Sequence, residues 1–450
     1  METSTNSPSR ITLPPLTRTQ WFICAVAGLG FAFDLYETLM GALIVGPVVT
    51  ALGHVTPGRA EFNRWVGMFF FVPAVAGGAF GLLGGYLTDL LGRRRVLTWS
   101  IVLYGCSAAA AGFATSLPLL LVLRCATMIG VCVEAVAAVA WLAELFPIPR
   151  QRELVLGAAQ ACYAIGGLMV SGAYYLFVTY GDALPAVLGH HEAWRYTLLS
   201  GVIPAIPLMI VRPFLPESRV WEERTMLGSV SRPRIAGLFA PGMRRTTLLT
   251  TLMMALSLAI PYGALQQTPR VVPGLAWVHS LGPREVEQAV SRLFFVQELG
   301  SVAGRVAFAL LVVRIMRRQR LLRFFLVPAA ILIPWLFLSA TSSGMLSFGV
   351  GVFCAQALFN GIHSFWGNYL PRVFPTRLRG TGESFAMNVG GRMIGVWAAL
   401  ATTQFATTMP GALPATRLAN AAGITMVAVL GVFLIASFWL PEPKSELLPQ

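Results

Sequence analysis

Charge is what this chain has least of. Only 12% of its 450 residues are Asp, Glu, Lys or Arg, and acids are the scarcer kind, 19 against 33 basic residues. A water-soluble domain carries roughly one charged residue in four, so a soluble globular fold is excluded. Apolar runs of about 20 residues, long enough to cross a bilayer, recur instead from Trp21 to the C-terminus. They lack the polar–apolar alternation that barrel strands require, which excludes a β-barrel. Cysteine is sparse too. Cys24, Cys106, Cys125, Cys132, Cys162 and Cys354 lie in apolar runs without metal-ligand spacing, and they read as buried small hydrophobes with no disulfide framework. No nucleophile–base–orienter set is legible, so an enzyme is the weakest reading. No cleavable signal is evident either. The first apolar run is long and ends without a small-residue cleavage site, so it is expected to remain as helix 1.

What is present is a strong basic excess, a formal net charge of +14, and it is placed asymmetrically. With the loop holding Arg93 to Arg95 taken as cytoplasmic and sides alternated from there, most arginines fall on that side, among them Arg10, Arg150, Arg219, Arg224, Arg232, Arg234 and Arg377. The other side receives Arg59, Arg64, Arg195, Arg270, Arg284 and Arg417. This is the positive-inside pattern, and it orients both termini to the cytoplasm. The charge reports topology, not a nucleic-acid partner.

The expected spans run roughly over 21–50, 65–88, 96–115, 118–146, 153–180, 195–214, 246–268, 289–313, 321–341, 345–371, 379–408 and 418–439. The sequence therefore predicts an all-α membrane protein of twelve helices. Its expected units are an N-terminal six-helix bundle (1–215), a basic cytoplasmic linker (216–245) and a C-terminal six-helix bundle (246–450). The halves repeat at a nearly constant offset of about half the chain. Phe146-Pro147 recurs as Phe374-Pro375, Gly166-Gly167-x-Met169 as Gly390-Gly391-x-Met393, and Leu215-Pro216-Glu217 as Leu440-Pro441-Glu442. A shared offset marks a duplicated unit whose halves are related by an axis along the membrane normal. Gly77, Gly81 and Gly85, at four-residue spacing, are expected to serve helix packing.

Ionisable groups deep in a membrane span are costly and mark function by default. Asp34 and Glu37 lie about 20 Å into helix 1 and share a face. Two such neighbouring carboxylates resist simultaneous ionisation, the property a proton-coupling site needs; the bland alternative is that one of them neutralises a buried arginine. Helix 4 carries Arg124 and Glu134. Arg124 either bridges to Asp34 or Glu37 or binds an anionic substrate. Arg392 lies about 20 Å deep in helix 11 with no acid within a turn or two. A substrate carboxylate would complete its guanidinium, the alternative being a partner such as Glu298 of helix 8. Shifting by the repeat sets Ala259 opposite Asp34, Tyr262 opposite Glu37 and Gly349 opposite Arg124, so the C-terminal half lacks the carboxylate pair. Gln160, Tyr163, Gln266, Gln267, Gln297, Gln356, Asn360, His363, Trp366 and Tyr369 are further cavity candidates, each more often a packing residue than a ligand.

Between the second and third spans sits a polar clasp, Gly85-Tyr86-Leu87-Thr88-Asp89-Leu90-Leu91-Gly92-Arg93-Arg94-Arg95. It resembles the loop joining helices 2 and 3 in the major facilitator superfamily of secondary transporters. With the duplicated halves and Leu215-Pro216-Glu217-Ser218-Arg219, the resemblance covers nearly the whole chain. The helix 1 acids, Arg124 and Arg392 look like the pattern of its aromatic-acid:proton symporters and organic-anion transporters. The chain departs from that pattern at Glu37, Leu90 and Met128, where an aspartate, an arginine and a glycine are usual. The resemblance implies proton coupling by Asp34 and Glu37 and anion binding by Arg392. From the residues themselves, Glu134 is a further proton-coupling candidate, and Arg124, Tyr163, Gln266, Asn360 and Trp366 are further substrate-binding candidates. Gly85, Asp89, Gly92, Arg93 and Arg94 would form a cytoplasmic gate, and the matching stretch at Arg314 is basic without an acid.

The function expected is proton-coupled symport of a small organic anion, a monocarboxylate or aromatic acid, across the cell (inner) membrane. The expected partners are substrate, protons and the lipid bilayer, with no nucleic acid, no metal, no cofactor and a monomeric unit. The alternatives are a sugar or neutral-polyol porter, which predicts Arg392 tied to a protein carboxylate, and a non-transporting sensor on the same fold.

Overall fold

The computed structural model describes residues 16–146, 148–226, 235–315, 317–375 and 378–442. Arg10, Pro147, Arg232, Arg234 and Arg377 lie outside the described residues, as do the side chains of Arg150, Gln160, Arg219 and Arg224. The first bundle comprises α1 (Arg18–Gly53), α2 (Ala60–Leu91), α3 (Arg93–Gly112), α4 (Leu117–Leu145), α5 (Pro149–Tyr180) and α6 (Ala193–Val211). Short linker helices, Arg219–Met226 and Ile235–Leu238, lead to the second. That bundle comprises α7 (Arg244–Gly263), α8 (Pro283–Val312), α9 (Arg318–Leu338), α10 (Met345–Val373), α11 (from Arg379 to Phe405) and α12 (Pro414–Ala436). Ten of these helices are long and apolar enough to cross a membrane. The polar, glycine-containing α3 and the interrupted α11 complete the twelve.

Three spans depart from regular helix, each for a physical reason. Helix α6 breaks at Gly201, where a Cβ would collide with the Glu37 carboxylate of α1. Helix α7, expected to reach 268, stops at Gly263 just after Pro261, and a 3-10 turn at Leu265–Gln267 follows. Proline supplies no backbone donor and so weakens the turn around it. Helix α11 widens into a π-helix over Ala386–Gly395, the stretch that holds Arg392. Such bulges mark functional segments more often than ordinary ones.

The duplication has a structural basis at two places. Gly166 of α5 lies against the Ala32 carbonyl of α1, and Gly390 of α11 lies against the Thr251 carbonyl of α7. A side chain at either glycine would strike backbone, so the repeated Gly-Gly is a helix-crossing point used once per half. The second place is the Leu-Pro-Glu element. Glu217 accepts from the backbone N–H groups of Arg93 and Arg94 at 3.1 Å each, capping α3. Half a chain later Glu442 accepts from those of Arg318 and Gln319 at 3.1 and 2.9 Å, capping α9. A carboxylate is the right group there, because the first N–H groups of a helix are unsatisfied and carry its positive end.

Candidate functional site

A cavity of about 1040 Å³ separates the two bundles. Its lining descends from Tyr262 and Gln266 past Arg392 to Asp89, Gly237, Ala240 and Thr381, so it opens on the face that carries the clasp. The opposite end is shut by contacts between the halves. Arg270 donates to Asn63 Oδ1 at 2.9 Å, Gln288 to Thr179 Oγ1 at 3.0 Å, and Ser291 to the Ser171 carbonyl at 2.7 Å. Phe70 meets Tyr262 edge-on at 6.2 Å, and Arg284 pairs with Asp182.

Arg392 reaches this cavity from the π-helical turn of α11. Its Nη1 donates to Asn388 Oδ1 at 2.7 Å. The amide is itself fixed, since Asn388 Nδ2 donates to the Ser384 carbonyl at 3.0 Å. Among the described residues no carboxylate lies within 4.0 Å of Arg392, Glu298 included. A second lining arginine, Arg305 of α8, lies over the Tyr163 ring at 5.5 Å and makes no ion pair among the described residues. Glu298, two turns earlier on α8, also lines the cavity.

Of the expected substrate residues, the structure brings Arg392, Tyr163, Gln266 and Asn360 to the cavity. Two it does not. Trp366 is 1% exposed, stacked on Phe433 at 6.4 Å inside the second bundle, because its face of α10 turns away from the cavity. Arg124 donates to Glu37 Oε2 at 3.3 Å and to the Glu37 carbonyl at 2.7 Å, and it lines only a small separate pocket. This is the bridge that was the bland alternative for Arg124. The expected proton residues lie behind the cavity wall, not on it. Phe31, Leu35 and Thr38 line the cavity, while Asp34 and Glu37 are buried beside them. Glu134 accepts from Arg212 Nη2 at 2.5 Å, a buried ion pair between α4 and the end of α6. Arg305 does carry a signal in the sequence, since it stands seven residues after Glu298 and so on the same helix face.

The clasp is assembled around Arg93, which is 3% exposed. Its Nε and Nη2 both donate to the Glu144 carboxylate at 2.9 Å, Nη1 donates to the Thr88 carbonyl at 3.0 Å, and Nη2 lies 2.8 Å from Asp89 Oδ1. Trp221 of the linker donates to the Asp89 carbonyl at 2.7 Å. Gly92 holds φ +94°, which a side chain would strain, and that turn lets α3 start against Glu217. Gly85 and Asp89 line the cavity mouth. Gly77 and Gly81 pack closely against neighbouring helices as expected for their spacing, but Gly85 has nothing within 4 Å of a Cβ.

Known proteins share this organisation. Residues 21–399 match the Major Facilitator Superfamily model. The chain is 27% identical over 419 residues, 92% of its length and 89% of the relative's, to the "Probable 4-methylmuconolactone transporter" of Cupriavidus pinatubonensis (strain JMP 134 / LMG 1197). It is 29% identical over 364 residues, 79% of its length and 81% of the relative's, to the 3-(3-hydroxy-phenyl)propionate transporter of Escherichia coli (strain K12). Its fold is similar to the crystal structure of a D-xylose-proton symporter, with a TM-score of 0.74, 18% identity and coverage of 95% and 99% of the two chains. The family match spans most of a chain whose duplicated bundles enclose a central cavity, and the chain belongs to the Major Facilitator Superfamily as a multi-pass membrane transporter.

Proposed function

We propose that this protein imports a small organic anion, a monocarboxylate or aromatic acid, together with a proton, by alternating access in the inner membrane. The observation that carries the reading is Arg392, a cavity-lining guanidinium held by a neutral amide and by no carboxylate among the described residues. A guanidinium on a cavity wall is completed by donating two parallel hydrogen bonds to a carboxylate, and a substrate can bring one. A relative named for 3-(3-hydroxy-phenyl)propionate, an aromatic acid, supports the same class. The sugar reading, which the cavity's Gln266, Gln297, Gln356 and Asn360 would suit, expects Arg392 to be tied to a protein carboxylate, and none lies within 4.0 Å of it among the described residues.

With both termini cytoplasmic by the positive-inside pattern, the open face is the inner one and the outer end is closed. Rocking of one bundle against the other would then expose the same site outward. A proton moving with a monoanion cancels the voltage penalty on its charge, about 2.3 kcal/mol per 100 mV. The clasp would govern closing of the cytoplasmic end, and the transporting unit would be a monomer. Uptake of labelled 3-(3-hydroxyphenyl)propionate into proteoliposomes, with and without an inward proton gradient, tests the reading against protein-free vesicles. Gradient-driven uptake lost in Arg392→Ala is expected. Uptake indifferent to pH and unchanged in that variant refutes it.

A further inference from the structure

Seven acids of the first and second bundles bear on where a transported proton could sit, and their partners and positions separate them. Glu37 is held by Arg124, Glu134 by Arg212, and Asp89 and Glu144 by Arg93. Asp34 is buried, with Oδ1 lacking a hydrogen-bond partner, but it does not line the cavity. Glu383 also lines the cavity, near its open end, but has no buried oxygen without a partner among the described residues. Glu298 alone of the seven combines a cavity position with such an oxygen: its Oε1 accepts from Gln356 Nε2 at 2.9 Å, while Oε2 is buried without a partner among the described residues.

The position is as telling as the pairing. Glu298 stands on the seam where α5 of the first bundle packs along α8 of the second. Gly167 of α5 faces its carboxylate, and a Cβ there would come within 2.8 Å of Cδ. Any rocking of the halves moves this seam. While the cavity is open, the carboxylate borders a solvent-sized space on the clasp face. When both ends are shut during the crossing, a charged carboxylate with one bare oxygen would be left in a dry seam, at a large desolvation cost. Neutralisation by a proton removes most of that cost. The charged and titratable groups around it are few. Arg305 on its own helix is not within 4.0 Å, α5 presents Tyr163, and α10 presents His363. The segment after α7 presents Arg270, already held by Asn63 and Gln267, and Arg392 lies on the cavity's α11 wall.

We propose that Glu298 is a proton-carrying residue of the transport cycle, taking a proton from the outward-open cavity to become a neutral carboxylic acid before both ends are shut and releasing it into the cavity when the clasp face opens. The proposal rests on the proton-coupled reading above and adds to it a site on the second bundle, opposite the helix 1 acids. Gly167 keeps the seam narrow enough for the acid's charge to matter.

The test separates driven accumulation from exchange. In proteoliposomes holding the full chain, an inward gradient of one pH unit supports about tenfold accumulation of a monoanion carried with one proton. The probe is labelled 3-(3-hydroxyphenyl)propionate. Glu298→Gln keeps the shape and the Gln356 contact but carries no proton. It is expected to retain counterflow of the labelled acid and lose the accumulation, whereas Glu298→Asp keeps both. Asp34→Asn is measured alongside. Tenfold accumulation in Glu298→Gln overturns the proposal and leaves proton coupling standing on helix 1. Absence of accumulation in the unaltered protein removes proton coupling itself, a separate failure. If Glu298→Gln does not reach the membrane, Gln356→Leu supplies the second arm by stripping the donor from Oε1. It is expected to move the pH profile of accumulation, and an unmoved profile counts against Glu298.

Discussion

Arg270, just beyond α7 in the second bundle, donates from Nη2 to Oδ1 of Asn63, on α2 of the first, at 2.9 Å. Its Nη1 donates to Gln267 Oε1 at 3.0 Å, and its guanidinium lies over Phe62 at 5.5 Å. A partly buried cation is thus held across the closed end by neutral amides. Such a contact is strong enough to hold and weak enough to break, because no second charge is stranded when the halves part. Removing a hydrogen bond to a charged group costs about 1.5–3 kcal/mol. Asn63→Ala is therefore expected to shift the conformational equilibrium roughly tenfold or more toward the state open at this end. Spin labels at positions 182 and 284, which flank the same end, should report longer distances in Asn63→Ala. Unchanged distances would mean that the apolar contacts alone keep it shut.

The Arg124–Glu37 pair is buried on both sides, with side chains 7% and 0% exposed. Breaking such a pair by removing one partner strands a charge and costs about 3–5 kcal/mol, whereas replacing both with apolar groups is often neutral. Glu37→Gln should lower the midpoint of thermal unfolding in detergent well below that of the unaltered protein. Glu37→Leu combined with Arg124→Met should recover most of the loss. Equal damage in the double variant would assign the pair a role in transport instead of in holding α1 to α4.

Within the clasp the geometry ranks the acids. Glu144 meets Arg93 with two parallel hydrogen bonds at 2.9 Å, while Asp89 offers one contact from a side chain 35% exposed. Solvent screens the second far more than the first. Glu144→Gln is expected to destabilise the protein by more than Asp89→Asn. Asp89→Asn should leave thermal stability nearly unchanged and alter the transport rate, since Asp89 lines the mouth that closes in the proposed cycle. Reversed order in a thermal-shift comparison would move the anchor of the clasp from α4 to α2.

How far the sequence carried can be read from these residues. The clasp, the spans and the three repeated elements lie in local patterns, because a helix crossing or a capped N-terminus needs its residue type at a fixed place in the chain. Glu217 and Glu442 recur because α3 and α9 each need an N-terminal acceptor. Side-chain partners were legible only as alternatives. Whether Arg124 faces Glu37 or a substrate depends on how α1 and α4 are rotated about their axes, and Trp366 turned out to face Phe433 for the same reason. The π-helix was not legible at all. It shifts the phase of α11 within ten residues, and Arg392 lies inside it.

That stretch sets up a sharp test of the proposed anion site. Asn388 and Arg392 are four residues apart, and the Asn388 amide is oriented by Ser384 so that its oxygen faces Nη1. Asn388→Asp would place a carboxylate where the neutral oxygen now sits, almost without change of shape. The guanidinium would gain a partner within the protein, and a substrate carboxylate would have to compete with a fixed negative charge. Binding of 3-(3-hydroxyphenyl)propionate, followed by thermal shift, is expected to weaken about tenfold to a hundredfold, the range of a charge-assisted hydrogen bond. Asn388→Ala removes the support without adding a charge and should weaken it less. Because Arg392 is retained in both, an Asn388→Asp protein that binds the acid as tightly as the unaltered one would show that the anion is held elsewhere, with Arg305 the next guanidinium on the cavity wall to examine.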